Sequence, residues 1–166
     1  MKLLVISDTH GRLSFARSAI RRLKDSVLAV IHLGDMVSDA VALAAENEGL
    51  IFHYVAGNCD YYYSCDEELK PSEILTYNGV RILAAHGHND GVKSGCSRIC
   101  GSADREGAKV VLFGHTHEPH NSVIGGVLAV NPGSASMPRG RARYPSYAVL
   151  NIGEGGEVSA SVIEIR

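Results

Sequence analysis

Short apolar runs alternate with amphipathic stretches through the first half of the chain. Leu3–Ile6, Val30–Leu33 and Phe52–Val55 are nearly free of polar residues and only about as long as a buried strand. Between the first two, Phe15, Ala19, Ile20 and Leu23 recur at helical spacing, which predicts a helix around Leu13–Lys24 with Ser14 as N-cap. A second helix is expected around Asp39–Glu48, stopped by Gly49. With strands at Lys2–Ile6, Leu28–Leu33 and Ile51–Val55, the order is βαβαβ, the pattern of a parallel sheet with right-handed crossovers.

The pattern breaks from Asp60 to Pro71, where Tyr61-Tyr62-Tyr63 and Cys65-Asp66-Glu67-Glu68 read as a polar loop with exposed aromatics. Strands at Glu73–Tyr77 and Val80–Ala85 follow, joined by Asn78-Gly79, a strong hairpin signal. A helix around Val92–Glu106, stopped by Gly107, precedes a strand at Lys109–Phe113. The last third reads as strands at Asn121–Ile124, Val127–Val130, Ser146–Ile152 and Glu157–Ile165, separated by glycine turns. Two β layers with helices on both outer faces accommodate this order. We find no internal repeat, low-complexity tract or linker, so residues 1–166 are expected to form one domain.

Charge and composition exclude more than they identify. A formal net charge of -2 gives no electrostatic reason to expect nucleic acid or an anionic membrane as partner. No stretch approaches the roughly 18 apolar residues of a membrane span. Only Leu3–Ile6 separates Met1-Lys2 from Ser7-Asp8, too short an apolar run for a secretory signal, so a cytoplasmic location is expected. Cys59, Cys65, Cys96 and Cys100 are then expected as reduced thiols. Cys96 and Cys100, four apart, suit a small apolar helix face better than a zinc site.

Chemistry gathers where the apolar runs end. Ser7-Asp8-Thr9-His10-Gly11, Gly34-Asp35, Gly57-Asn58-Cys59-Asp60, Ala85-His86-Gly87-His88 and Gly114-His115-Thr116-His117 each close one run. Strands laid side by side bring their C-terminal ends to one sheet edge, where α/β proteins bind ligands. Seven candidate metal ligands would converge there: Asp8, His10, Asp35, Asn58, His86, His115 and His117. That is too many for one tetrahedral ion and suits two ions sharing a carboxylate. Asp8 and His10, one residue apart, would share a face if the strand end is extended, and His115 and His117 repeat the spacing. Oxygen ligands mixed with imidazole, without thiolate, suit Mn2+ first, with Ni2+, Zn2+, Fe2+ or Co2+ as alternatives.

These motifs, with the closing Asn131-Pro132-Gly133-Ser134, resemble the signature set of the calcineurin-like metallophosphoesterases, most closely the small YfcE-like phosphodiesterases. The resemblance implies a four-layer α/β/β/α sandwich with two mixed β-sheets and a dinuclear metal centre. By position, it implies that Asp8, His10, Asp35 and His117 hold one ion, and Asp35, Asn58, His86 and His115 the other. It also implies a two-metal mechanism in which a bridging hydroxide attacks phosphorus in line. Asn58, Asp60 and His88 are the further residues assigned to catalysis, Asp60 by orienting ligands and His88 as a ligand or a neighbour of the ligands.

One position departs from the wider family, where histidine is the usual proton donor to the leaving group; here it is Cys59. A thiol with a pKa near 8.5 is a weak acid catalyst at neutral pH. Cys59 is thus open to three roles: filler behind Asn58, proton donor or additional soft ligand. Arg139, Arg141 and Arg143 either clamp a phosphate or remain solvated, and Asn131 and Ser134 either position phosphate oxygens or form turns. His32, His53 and His120 have no ligand spacing and are expected to be structural or at the surface. The leading function is hydrolysis of small phosphodiesters. The alternatives are a phosphomonoesterase or protein phosphatase, a non-catalytic scaffold like the retromer subunit of this fold, and a nuclease, for which a basic stripe is lacking. Tyr61–Tyr63 is a candidate homodimer contact.

Overall fold

Leu3, Leu4, Val5 and Ile6 are all fully buried, although successive residues of a strand face opposite ways. This first strand, β1 (Lys2–Ile6), is therefore covered on both faces, as its uninterrupted apolar run requires. The computed structural model describes residues 1–61 and 69–165. Tyr62, Tyr63 and Cys65 lie outside the described residues.

The described elements run β1, α1 (Ser14–Leu23), β2 (Ala29–His32), α2 (Val37–Ala45), β3 (Ile51–Tyr54), β4 (Ser72–Tyr77), β5 (Val80–Ala85), α3 (Ser97–Arg105), β6 (Val110–Leu112), β7 (Pro119–Ile124), β8 (Val127–Pro132), β9 (Ser146–Ile152) and β10 (Val158–Glu164). They build two five-stranded sheets, in the orders β10-β9-β1-β2-β3 and β4-β5-β6-β8-β7. Both are mixed. β1, β2 and β3 pair in parallel, as do β5, β6 and β8, while β9, β10, β4 and β7 run antiparallel to their neighbours.

Three apolar clusters account for the layering. Leu3, Val5 and Ile31 of the first sheet pack with Ile82, Val110, Leu112 and Val130 of the second, forming the core between the sheets. On the outer face of the first sheet, Leu4, Ile6 and Val30 meet Ala16, Ala19 and Ile20 of α1 and Leu43 of α2. On the outer face of the second, Leu83, Val111 and Phe113 meet Ile99, Cys100 and Ala103 of α3. The architecture is the expected α/β/β/α sandwich, and Cys100 sits on the small apolar helix face assigned to it.

Asn78 and Gly79 both have positive φ (47° and 72°) between paired Tyr77 and Val80, the backbone of a tight two-residue hairpin. Three helix boundaries differ from expectation. Ser14 opens α1 instead of capping it; Leu13 holds the cap position with no side-chain hydrogen bond. α2 begins at Val37, before Asp39, because its first amides are capped from another segment, described below. α3 begins at Ser97 instead of Val92: Val92–Ser94 forms a separate 3-10 turn, and Gly95 at φ 135° breaks the chain before the helix. Among the described residues no helix is long and apolar enough to cross a membrane.

Candidate metal centre

The parallel strands of both sheets deliver their C-terminal ends to one side. Asp8, Asp35 and Asn58 follow β1, β2 and β3; His86 follows β5; His115 and His117 follow β6. The side chains converge across the two sheets. Asp8, His10, Asp35 and His117 each offer one ligand atom within 4.8 Å of the others. His86 Nε2 lies 3.4 Å from Asp35 Oδ1 and 3.9 Å from Asp8 Oδ1. The His115 ring centre lies 5.2 Å from that of His86. Asn58 Oδ1 is buried with no hydrogen-bond partner.

The backbone achieves this in a way that the spacing did not suggest. Asp8 (φ 56°), His10 (45°), Asp35 (59°), His115 (68°) and His117 (61°) are all left-handed. The extended strand end expected for Asp8-x-His10 is thus corrected: a succession of left-handed turns, rather than a common strand face, points these side chains together. Such backbone costs a non-glycine residue roughly 1–3 kcal/mol and persists only where surroundings enforce it. Close packing supplies the enforcement. A side chain at Gly57 would strike the Asp35 carboxylate, and one at Gly114 would strike Ser7 and Asp8. Ser134 and Ser136 hydroxyls both donate to the Asp8 carbonyl at 2.8 Å.

Asp60 holds the Asp35 turn. Its carboxylate accepts four backbone N–H groups: Asp35 (3.0 Å), Gly57 (2.8 Å), Met36 (3.0 Å) and Val37 (2.6 Å). The last two belong to the start of α2, whose N-terminus is therefore capped by a residue more than twenty positions away. Asn131 is likewise committed, donating to the Gly114 carbonyl and Thr116 Oγ1 and accepting from Gly133. Asn131 and Ser134 thus form turns. His32, fully buried, accepts from Gly34 N–H at Nδ1 and donates from Nε2 to Thr9 Oγ1 at 3.1 Å. Because the Gly34 bond requires a bare Nδ1, the proton sits on Nε2, and burial lowers the pKa to about 4. His32 supports both ligand loops, and sequence spacing held no signal for it.

The remaining pairings are chemically telling. His86 Nδ1 lies 2.6 Å from the Leu33 carbonyl and His117 Nδ1 lies 2.7 Å from that of Met137. A carbonyl only accepts, so both Nδ1 atoms carry a proton, and Nε2 is the atom that each ring turns toward the cluster. There, His117 Nε2 lies 3.1 Å from Asp8 Oδ1 and 3.3 Å from His10 Nε2. Asp8 Oδ1, Asn58 Oδ1 and His86 Nε2 are buried without hydrogen-bond partners. Acceptors facing acceptors in a buried space are satisfied by a proton or a cation between them. The donor set, imidazole and carboxylate with one amide oxygen, fits a divalent transition ion, and the Nδ1–carbonyl bonds are the outer hydrogen bonds that orient ligating histidines.

The electrostatics agree. Burial pushes the Asp8 carboxyl up, but His117, His86 and the Ser7 hydroxyl outweigh it and hold it ionised. Burial likewise opposes ionisation of Asp35, and His86 and the Cys59 N–H overcome it. Burial lowers the His86 pKa, but the two carboxylates win and raise it. His115 is lowered to about 4, first by burial and then by the charges of His86 and Lys93.

Cys59 donates its backbone N–H to Asp35 Oδ1 (2.9 Å) and its thiol to Asp35 Oδ2 (3.3 Å). Burial, then the Asp35 charge, pushes that thiol up to about 11. His88 opens a 3-10 turn, with its Nδ1 buried and unpartnered and its ring centre 5.4 Å from that of His86 and 6.3 Å from that of Tyr61. His53 bonds Tyr77 far from this edge, and His120 bonds Ser122.

The family model described as the calcineurin-like phosphoesterase superfamily domain matches residues 1–155, and the chain belongs to that family. It is 36% identical to the probable metallophosphoesterase YsnB of Bacillus subtilis, over 92% of this chain and 85% of that protein. It is 28% identical to the phosphodiesterase YfcE of Escherichia coli K12, over 91% and 88% of the two chains. The zinc complex of Vps29 from Entamoeba histolytica shares the fold, with TM-score 0.75 over 99% of each chain, at 20% identity. The chain is a metallophosphoesterase of the YfcE-like kind, a hydrolase with a candidate metal-binding cluster.

Proposed function

We propose that this chain is a dinuclear metal-dependent phosphodiesterase acting on small phosphodiesters. The observation that carries this reading is the buried meeting of acceptor with acceptor, centred on Asp8 Oδ1, His86 Nε2 and Asn58 Oδ1. Asp8, His10, Asp35 and His117 would hold one ion; Asp35, Asn58, His86 and His115 would hold the other. When bound, two such ions supply a hydroxide nucleophile at neutral pH and neutralise charge on the phosphoryl oxygens. Mn2+ is the preferred occupant, with Ni2+, Zn2+, Fe2+ or Co2+ as alternatives.

The chain's own groups do the rest. Asp35 offers one carboxylate oxygen to each side of the cluster. Asp60 fixes the Asp35 turn, and Asn58 presents its amide oxygen while its Nδ2 rests 3.4 Å from Cys59 Sγ. His88, with its ring beside those of His86 and His115, is assigned as a ligand or a neighbour of the ligands. Cys59 donates its thiol to Asp35 Oδ2 in the metal-free chain, and we assign it no proton for the leaving group. Substrates with good leaving groups are favoured accordingly. A reducing compartment, the cytoplasm, suits the free thiols of Cys59, Cys96 and Cys100.

The test strips the protein of metal, reloads it with each candidate ion and measures hydrolysis of bis-p-nitrophenyl phosphate beside elemental analysis. Two ions per chain and activity with at least one metal are expected. At most one ion at saturating Mn2+, or no hydrolysis with any metal, overturns the proposal.

A further inference from the structure

Asp39 is a buried acid whose side chain hydrogen-bonds outside its own helix. It lies in the first turn of α2, where an acid ordinarily serves the free N–H groups of the helix start. Two of those groups, on Met36 and Val37, are already taken by Asp60. Asp39 Oδ2 instead accepts the backbone N–H of Gly11 at 2.8 Å, across 28 positions of sequence. The bond joins α2 to the residue directly after His10, in a ligand turn that Asp60 does not reach.

His10 needs such a hold more than its neighbours do. Its side chain is 17% exposed, whereas those of Asp8, Asp35 and His117 are at 3% or below. His86 and His117 each give an Nδ1 proton to a backbone carbonyl, which fixes the ring. Among the described residues His10 has no such bond; its one side-chain partner is His117 Nε2. The His10 N–H reaches the Asp35 carbonyl only at 3.5 Å, long for an amide bond. His10 and Gly11 are both left-handed, at φ 45° and 76°, and a side chain on Gly11 would meet nothing. Packing at Gly11 therefore does not enforce the turn. Arg12 N–H closes it on itself through the Thr9 carbonyl at 2.9 Å, and Asp39 supplies the short contact that anchors it to another element.

We infer that Asp39 is a positioning residue: through the Gly11 N–H it fixes the His10 turn, and so sets the affinity of the ion that His10 would hold. Outer-shell partners of metal ligands govern affinity by about 10- to 100-fold. The inference rests on the two-ion reading of the cluster and deepens it, because the two ions then answer to different supports. Asp60 braces Asp35, which both ions would share, whereas Asp39 braces a ligand of one.

Calorimetric titration of metal-stripped protein with Mn2+ reads the two binding steps apart from turnover. Asp39→Ala should weaken one step by about tenfold or more and leave the other within about threefold. His10→Ala should weaken the same step. The double variant should be no weaker than His10→Ala alone, because Asp39 acts through His10. Asp39→Asn keeps an oxygen acceptor for Gly11 without the charge, and should bind both ions nearly as the unaltered protein does. Asp39→Glu keeps the charge at the helix start but moves the acceptor by a methylene, and should behave like Asp39→Ala. A role confined to the helix dipole predicts the reverse order for Asn and Glu. These two conservative variants decide the question even where Asp39→Ala does not fold. Unchanged affinity in Asp39→Glu, equal weakening of both steps, or losses that add in the double variant overturn the inference. If the unaltered protein binds one ion only, the dinuclear reading falls. The Asp39 assignment then stands where Asp39→Glu weakens that ion and Asp39→Asn does not, and falls otherwise.

Discussion

The carboxylate of Asp60 accepts the backbone N–H of Asp35 at 3.0 Å, so one acidic residue fixes the position of another without touching its side chain. With three more N–H groups on the same carboxylate, this contact ties the turn after β2 to the turn after β3 and to the start of α2. Asp60→Ala leaves these buried donors unsatisfied and should cost about 3 kcal/mol. Metal affinity should fall with it, because Asp35 loses the backbone that holds it. Urea unfolding and Mn2+ titration read the two effects. A variant with full stability and wild-type Mn2+ affinity contradicts the positioning role.

Asp35 should matter to both ions and His117 mainly to one. His10 Nε2 lies 3.7 Å from Asp35 Oδ2, and His86 Nε2 lies 3.4 Å from Oδ1, so the carboxylate serves both halves of the cluster. Elemental analysis after Mn2+ loading should find Asp35→Ala well below one ion per chain and His117→Ala near one. Two ions retained in Asp35→Ala would remove the shared-carboxylate arrangement.

Much of this site was legible in the sequence, and the reason is physical. Apolar runs such as Leu3–Ile6 and Val110–Phe113 read as buried strands, and parallel strands align their C-terminal ends, so Asp8 could be placed beside Asp35 and His86 beside His115. That these two edges belong to different sheets that face each other was not legible. What could not be read was how the side chains turn toward one another. Left-handed backbone at Asp8, His10 and Asp35 depends on contacts from distant segments, such as Ser134 and Ser136 on the Asp8 carbonyl. The start of α2 was misplaced for the same reason, since its cap comes from Asp60. Long-range hydrogen bonds leave no local pattern, and His32 shows the same limit: its neighbours Thr9 and Gly34 become neighbours only in the folded chain.

His32 should make the metal-free protein acid-sensitive. Its folded pKa, about 4, lies below the unfolded value of 6.5. Above pH 6.5 neither state is protonated and the difference contributes nothing. As pH falls from 6.5 toward 4, the unfolded chain takes up a proton that the folded chain excludes, so stability is lost. The loss from this group between pH 7 and pH 5 should be about 2 kcal/mol. His32→Asn, which keeps an acceptor for Gly34 but does not titrate there, should be less stable at pH 7 and show a flatter pH dependence. Urea unfolding in excess chelator measures both chains, and parallel pH curves would exclude His32 as the source.

Cys59 should prove a modest contributor. Its thiol donates to Asp35 Oδ2 and stays protonated far above neutrality. Cys59→Ala removes one hydrogen bond to a ligand, an effect of about 1 kcal/mol, and should lower activity only several-fold. Cys59→Ser, which retains a donor, should do less. A proton donor would show a loss of about 10²-fold, concentrated on poor leaving groups. Such a loss with metal content unchanged would reassign Cys59 to acid catalysis.

The choice between diester and monoester follows from the same residue. With Cys59 neutral and bound to Asp35, the position that carries histidine in much of the family supplies no ready proton. Substrates whose leaving group departs as a stable anion should therefore be cleaved best, and a phenoxide departs more readily than an alkoxide. A diester also brings one charge where a monoester brings two, so it approaches a hydroxide nucleophile against less repulsion and needs fewer cationic contacts at phosphorus. On Mn2+-loaded protein, bis-p-nitrophenyl phosphate should show a higher kcat/KM than p-nitrophenyl phosphate, with the same leaving group in both. If the monoester wins by tenfold or more, a cation closes over the dianion at the reacting centre, and the phosphodiesterase reading gives way to a phosphatase.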